Sequence, residues 1–91
     1  MTATHPIQDP TVITVYGADW CGDCRRSKRQ LAARDVEFTW IDVNADRSIR
    51  DELTVSGYPA IPVIVMPGGL VLMEPTDDEL SEALDAAVLA R

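Results

Sequence analysis

The run Thr11–Tyr16 (T-V-I-T-V-Y) is β-branched and aromatic, which predicts a strand buried on at least one face. Gly17 to Trp20 reads as a turn. From Cys21 to about Arg34 the pattern changes to helical spacing: Cys24, Ser27 and Leu31 fall at i, i+3 and i+7 on one face, and basic residues fill the rest of the circumference. Glu37–Val43 (E-F-T-W-I-D-V) predicts a second strand, with Phe38 and Trp40 as core residues. Asp46 can cap a short helix from Arg47 to about Ser56 that turns Ile49 and Leu53 inward and ends at Gly57. The stretch Tyr58-Pro59-Ala60-Ile61-Pro62 suits neither a helix nor a central strand.

Two short apolar runs follow, Val63–Met66 and Leu70–Met73, separated by Pro67-Gly68-Gly69, and together they predict a β-hairpin. Thr76-Asp77-Asp78-Glu79 has the form of a capping box, with Thr76 as N-cap and Glu79 reaching back to it. The last helix then buries Leu80, Ala83, Leu84, Ala87 and Val88. The element order is βαβ, α, ββ, α. A βαβ unit requires parallel strands with a right-handed crossover, and the hairpin adds two antiparallel strands. The fold class is therefore α/β: one four-stranded mixed sheet flanked by three helices. Residues 11–91 form this domain, and Met1–Pro10, with two prolines and His5, reads as a flexible tail with an inert histidine.

Charge narrows the partners. The formal net charge is −7, which argues against nucleic acid or an anionic membrane. Five of the eight Lys and Arg residues (Arg25, Arg26, Lys28, Arg29 and Arg34) lie in one short stretch, whereas none occurs between Asp51 and Ala90. Such a cluster is the solvated face of a helix or a local cationic field beside the cysteines. No apolar run reaches the roughly 18 residues of a membrane span. Residues 1–10 lack the basic-then-apolar pattern of a signal peptide, and the expected location is the cytoplasm.

The two cysteines stand in Trp20-Cys21-Gly22-Asp23-Cys24, at the end of the first strand and the start of the first helix. Zinc sites use the same spacing, but zinc wants four ligands, and His5 is the one good candidate left, so no metal is expected. A helix N-terminus presents unpaired N–H groups and the positive end of its dipole, which favour the thiolate form of Cys21. Cys24 lies one turn further in and faces the core. Cys21 is then the nucleophile and Cys24 the resolving thiol that closes a Cys21–Cys24 disulfide. Asp23 favours the helix but opposes a thiolate beside it; Arg25, Arg26 and Lys28 can offset that charge.

The C-x-x-C at a strand-to-helix turn, with Ile61-Pro62 just before a hairpin, resembles the thioredoxin-like superfamily across about Thr11 to Arg91. The resemblance implies a thioredoxin-like (glutaredoxin) fold and a cis bond before Pro62, which packs against Cys21. It also implies that the backbone of Ile61 pairs with the substrate. Thioredoxins have Trp-Cys-Gly-Pro-Cys and a buried Asp on the first strand, where this chain has Val15. Glutaredoxins fit the length and element order better, although their usual Lys before the first cysteine is Ala18 here. Their Gly-Gly pair before two aspartates is absent near Met73 and Glu74, while Asp77-Asp78 can be the aspartates.

The chain most resembles the mycoredoxins, which share Trp-Cys-Gly-x-Cys, the hairpin turn and a stretch like Pro75-Thr76-Asp77-Asp78-Glu79. That resemblance implies a thiol–disulfide oxidoreductase acting on protein disulfides or mixed disulfides. No cofactor is bound, and mycothiol or glutathione serves as co-substrate. The implied substrate-binding positions are Trp20, Gly22, Asp23, Ile61, Pro62, Thr76 and Asp77, in a monomer. Gly57–Val65 is also similar to redoxins that reduce ribonucleotide reductase, so a thioredoxin-like reductase fed by a flavin reductase is the alternative. Iron–sulfur carriers of this kind usually replace the second cysteine with Ser, and this chain keeps Cys24.

Overall fold

The computed structural model describes residues 12–89. The predicted tail Met1–Pro10 with His5, the strand start at Thr11, and the side chain of Val88 lie outside what it describes. Seven elements follow in chain order: β1 Ile13–Gly17, α1 Gly22–Ala33, β2 Phe38–Asp42, α2 Arg47–Val55, β3 Val63–Val65, β4 Val71–Met73 and α3 Asp77–Leu89. They form one four-stranded sheet in the order β2-β1-β3-β4, with β1 parallel to β2 and antiparallel to β3, and β3 antiparallel to β4.

The period of two along each strand divides the core into two layers. On one face Ile13, Val15, Ile64 and Met66 meet Leu31 of α1 and Leu80, Ala83 and Leu84 of α3, with Phe38, Trp40 and Leu72 packed alongside. On the other, Tyr16, Val63 and Val65 meet Leu53 of α2, joined by Ile41, Ile49, Tyr58 and Ile61. Two helices thus cover one face and a single helix the other.

The helix ends follow from local chemistry. Both α1 and α2 finish with the paired hydrogen bonds of a Schellman turn. The amides of Asp35 and Val36 donate to Ala32 and Leu31, and those of Gly57 and Tyr58 donate to Thr54 and Leu53. Gly57, at φ +99°, takes the left-handed position freely, whereas Asp35 takes it at φ 58°. In each case the residue beyond the turn packs on the same core as the helix residue it bonds, Val36 with Leu31 and Tyr58 with Leu53. Asp46 caps α2 by accepting the Ser48 amide at 2.9 Å.

Several boundaries differ from the sequence pattern. Gly17 is the last residue of β1 and pairs with Asp42, so it belongs to the strand and not to the turn. Met66 and Leu70 are the hairpin ends that bond each other across the loop, Met66 N–H to Leu70 C=O at 2.8 Å, and stand outside β3 and β4. The loop between them turns through Gly68 and Gly69 at φ +101° and +100°.

Candidate active site

The site forms where β1 ends and α1 begins. After Gly17 the chain turns tightly, the Cys21 amide donating to the Ala18 carbonyl at 3.1 Å. Cys21 is the N-cap of α1, with the extended φ/ψ of −86° and 114° that this position requires. Its sulfur occupies the place a Ser or Asp oxygen would take and accepts the Cys24 amide N–H at 3.2 Å. Cys21 is partly exposed. The helix therefore begins at Gly22, one residue later than the sequence pattern alone places it.

Cys24 is wholly buried and is seated against the backbone of β1. A Cβ built on Gly17 would stand 2.7 Å from Cys24 Sγ and 2.8 Å from Cη2 of Trp40, closer than real Cβ contacts. Gly17 thus creates the space that the second thiol fills. Burial pushes the Cys24 thiol from 9.0 up to about 12; hydrogen bonding to Cys21 and the charges of Cys21 and Asp23 add to the rise, and a hydrogen bond from the Ala18 backbone opposes it. Both cysteines are free thiols, one accessible and one sequestered one helical turn behind it.

Around the cysteines, Trp20 is 67% exposed. Asp23 is exposed and accepts Arg26 at 3.0 Å; the same guanidinium reaches Asp77 at the start of α3, also at 3.0 Å. Of the three cations named from sequence as able to offset Asp23, Arg26 is the one paired with it. The Ile61–Pro62 bond is cis, Pro62 is buried, and its carbonyl accepts the Glu74 amide at 2.8 Å. Thr76 and Glu79 complete the capping box: Thr76 Oγ1 accepts the Glu79 amide at 3.1 Å, and Glu79 accepts the Thr76 amide at 2.8 Å. With the Thr76 carbonyl accepting the Leu80 amide at 3.0 Å, the amide, hydroxyl oxygen and carbonyl of Thr76 are all engaged by the first turns of α3. Among the described residues, no three His, Cys, Asp or Glu side chains gather as a metal-binding group, and no helix is long and apolar enough to cross a membrane.

Two features of the site were not anticipated. One is Gly17, whose meaning depends on Cys24 and Trp40 together. The other is Lys28, whose ammonium lies 3.9 Å from the centroid of the Trp40 ring and ties the middle of α1 to β2.

Known proteins fit this architecture. The glutaredoxin family profile matches residues 13–71, more than half of the chain and the whole stretch from β1 to the start of β4. The glutaredoxin-like protein NrdH of Salmonella typhimurium is 34% identical over 58 residues, covering 64% of this chain and 70% of that protein. The gene 56 protein of Mycobacterium phage L5 is 31% identical over 74 residues, covering 80% and 72%. The solved structure of the glutaredoxin-like NrdH-redoxin of Escherichia coli superposes with a TM-score of 0.70 at 26% identity, covering 77% of this chain and 91% of that one. The family match and the strand–cysteine–helix geometry agree, and the chain belongs to the glutaredoxin family.

Proposed function

We propose that the protein is a dithiol disulfide reductase in which Cys21 attacks and Cys24 resolves. The observation that carries this reading is the Cys21 sulfur at the N-cap of α1, accepting the Cys24 amide, with a buried thiol directly behind it. The Cys21 thiolate attacks one sulfur of the substrate disulfide. That S–S bond breaks, the other half leaves as a thiolate and takes up a proton, and a mixed disulfide remains on Cys21. Cys24 then loses its proton and attacks Cys21 Sγ, expelling the second thiolate. The substrate gains two electrons and the protein is left as the Cys21–Cys24 disulfide.

Trp20, Gly22, Asp23, Ile61, Pro62, Thr76 and Asp77 are the proposed substrate-contacting positions. The exposure of Trp20 supports an apolar anchor beside the sulfur. At Ile61 no backbone hydrogen bond forms with another described residue, which leaves its amide and carbonyl for a substrate strand. A neutral low-molecular-weight thiol such as mycothiol is the proposed co-substrate, in the cytoplasm. Its support is the residue pattern around Thr76 and the pairing of Arg26 with two carboxylates, which leaves that guanidinium committed. A second reading, electrons from a flavin reductase, is favoured by similarity to NrdH-redoxin, a protein described as having a thioredoxin-like activity profile.

The test is single turnover with Cys21→Ser and Cys24→Ser. Cys24→Ser should accumulate a stable adduct on Cys21, visible by mass spectrometry, and Cys21→Ser should form none. An adduct on Cys24 instead would reverse the roles. Steady-state assays with mycothiol, glutathione and a flavin reductase then rank the electron sources.

A further inference from the structure

We infer that the outer face of α1 is a docking surface for an acidic segment of the disulfide-bearing partner. The inference rests on the reductase reading above and adds the chemistry of its substrate. With about 100° between successive residues, α1 divides into three faces. Cys24, Ser27 and Leu31 turn to the sheet. Arg26, Gln30 and Arg34 turn to α3, where they bond Asp77, Ser81 and Asp85. The remaining face carries Arg25, Lys28 and Arg29.

Lys28 is occupied over Trp40. Arg25 and Arg29 are exposed, and neither side chain has a hydrogen bond or ion pair with another described residue. They are also aligned with the nucleophile. The Arg25 amide donates to the Cys21 carbonyl at 3.1 Å, so Arg25 lies one turn along from Cys21 and Arg29 one turn beyond that. Residues four apart on a helix are neighbours about 5–6 Å apart at Cβ, a spacing two carboxylates of one peptide can match. Trp20, the residue before Cys21, supplies an exposed apolar contact.

Charge complementarity selects the occupant. In a chain of net charge −7, with no Lys or Arg between Asp51 and Ala90, the cations of α1 that no described residue neutralises form one stripe ending at the reactive thiol. Of the acids nearest the cysteine, Asp23 is bound to Arg26, and Asp19 lies on the far side of Cys21 from the stripe in sequence. Aspartates or glutamates to one side of the target cysteine would lie along Arg25 and Arg29 while its sulfur meets Cys21.

The test uses three disulfide-bonded peptides that differ only in three residues flanking one cysteine: Glu, Gln or Lys. Each is reduced in single turnover by the dithiol form of the wild-type protein and of R25E/R29E, prepared with dithiothreitol that is then removed, with bis(2-hydroxyethyl) disulfide as an uncharged reference. The expected ratio of second-order rate constants for the Glu and Lys peptides is about fivefold for the wild type at low ionic strength. It should shrink in high salt and invert in R25E/R29E. A ratio unmoved by the charge reversal, while the reference compound is still reduced, would overturn the docking surface alone. Failure of the wild-type protein to reduce the reference would overturn the reductase reading and this inference with it.

Discussion

Gly17 and Cys24 touch backbone to sulfur: the strand has no side chain at the one place where the buried thiol needs room, and an added Cβ would stand 2.7 Å from Sγ. Trp40 closes the same space from β2. The expected outcome of Gly17→Ala is a loss of about 1–3 kcal/mol, the usual cost of overpacking a filled interior. The mutation should also slow release of the mixed disulfide, because a displaced Cys24 Sγ no longer rests behind Cys21. Urea unfolding of the reduced protein and stopped-flow single turnover measure the two effects. Unchanged values for both would mean that the sulfur and the indole give way freely.

The buried thiol also sets a pH dependence. An unfolded Cys24 ionises near 9.0, whereas in the native protein it stays protonated up to about 12. Between those values the native state holds a proton that the unfolded chain has lost. Its contribution to stability is therefore complete below pH 9 and is lost as pH rises towards 12. Tyr16, raised by burial, adds a loss of the same sign. The reduced protein should lose stability above pH 9, and Cys24→Ser should lose less, as denaturant midpoints at pH 8, 9 and 10 will show. The resolving step should quicken by about tenfold per pH unit below the Cys24 pKa, as its thiolate fraction grows.

Much of this arrangement could be read directly from the residues. The face Cys24, Ser27 and Leu31 emerges from helical spacing, and the capping box at Thr76 from four consecutive letters, because both depend on neighbours in sequence. Gly17 could not be read in the same way. A glycine after a strand signals a turn, and its function as a gap becomes visible when Cys24 and Trp40 are brought to it from other elements. The Arg26–Asp77 pair joins residues separated by 51 positions, and the sequence contains no local pattern for it. The placement of the cysteine motif at the strand-to-helix turn is legible for the same reason, because it is set within one turn of helix.

That long-range pair is exposed at both ends, so its energetic weight should be small. A double-mutant cycle of Arg26→Ala and Asp77→Ala should return a coupling of about 0.2–1 kcal/mol, falling as salt is added. A coupling of several kcal/mol would mean that the bridge organises more of the α1–α3 contact than its exposure suggests.

The capping box makes a sharper demand. Thr76→Ala removes the acceptor for the Glu79 amide and should cost about 1 kcal/mol in chemical denaturation. Thr76→Ser keeps the hydroxyl and should restore most of that. If Ser fails to rescue, the methyl group and not the hydroxyl is the stabilising part.

Arg26, Gln30 and Arg34, placed at intervals along α1, fasten it to α3 near its beginning, middle and end. A helix held in this way meets its neighbour through several modest polar contacts spread along its length, so that losing any one of them leaves the others in place. Under the proposed dithiol cycle, a protein that must tell the spent form from the fresh one meets the exposed Trp20 and the partly exposed Cys21 first, because Cys24 lies buried behind them.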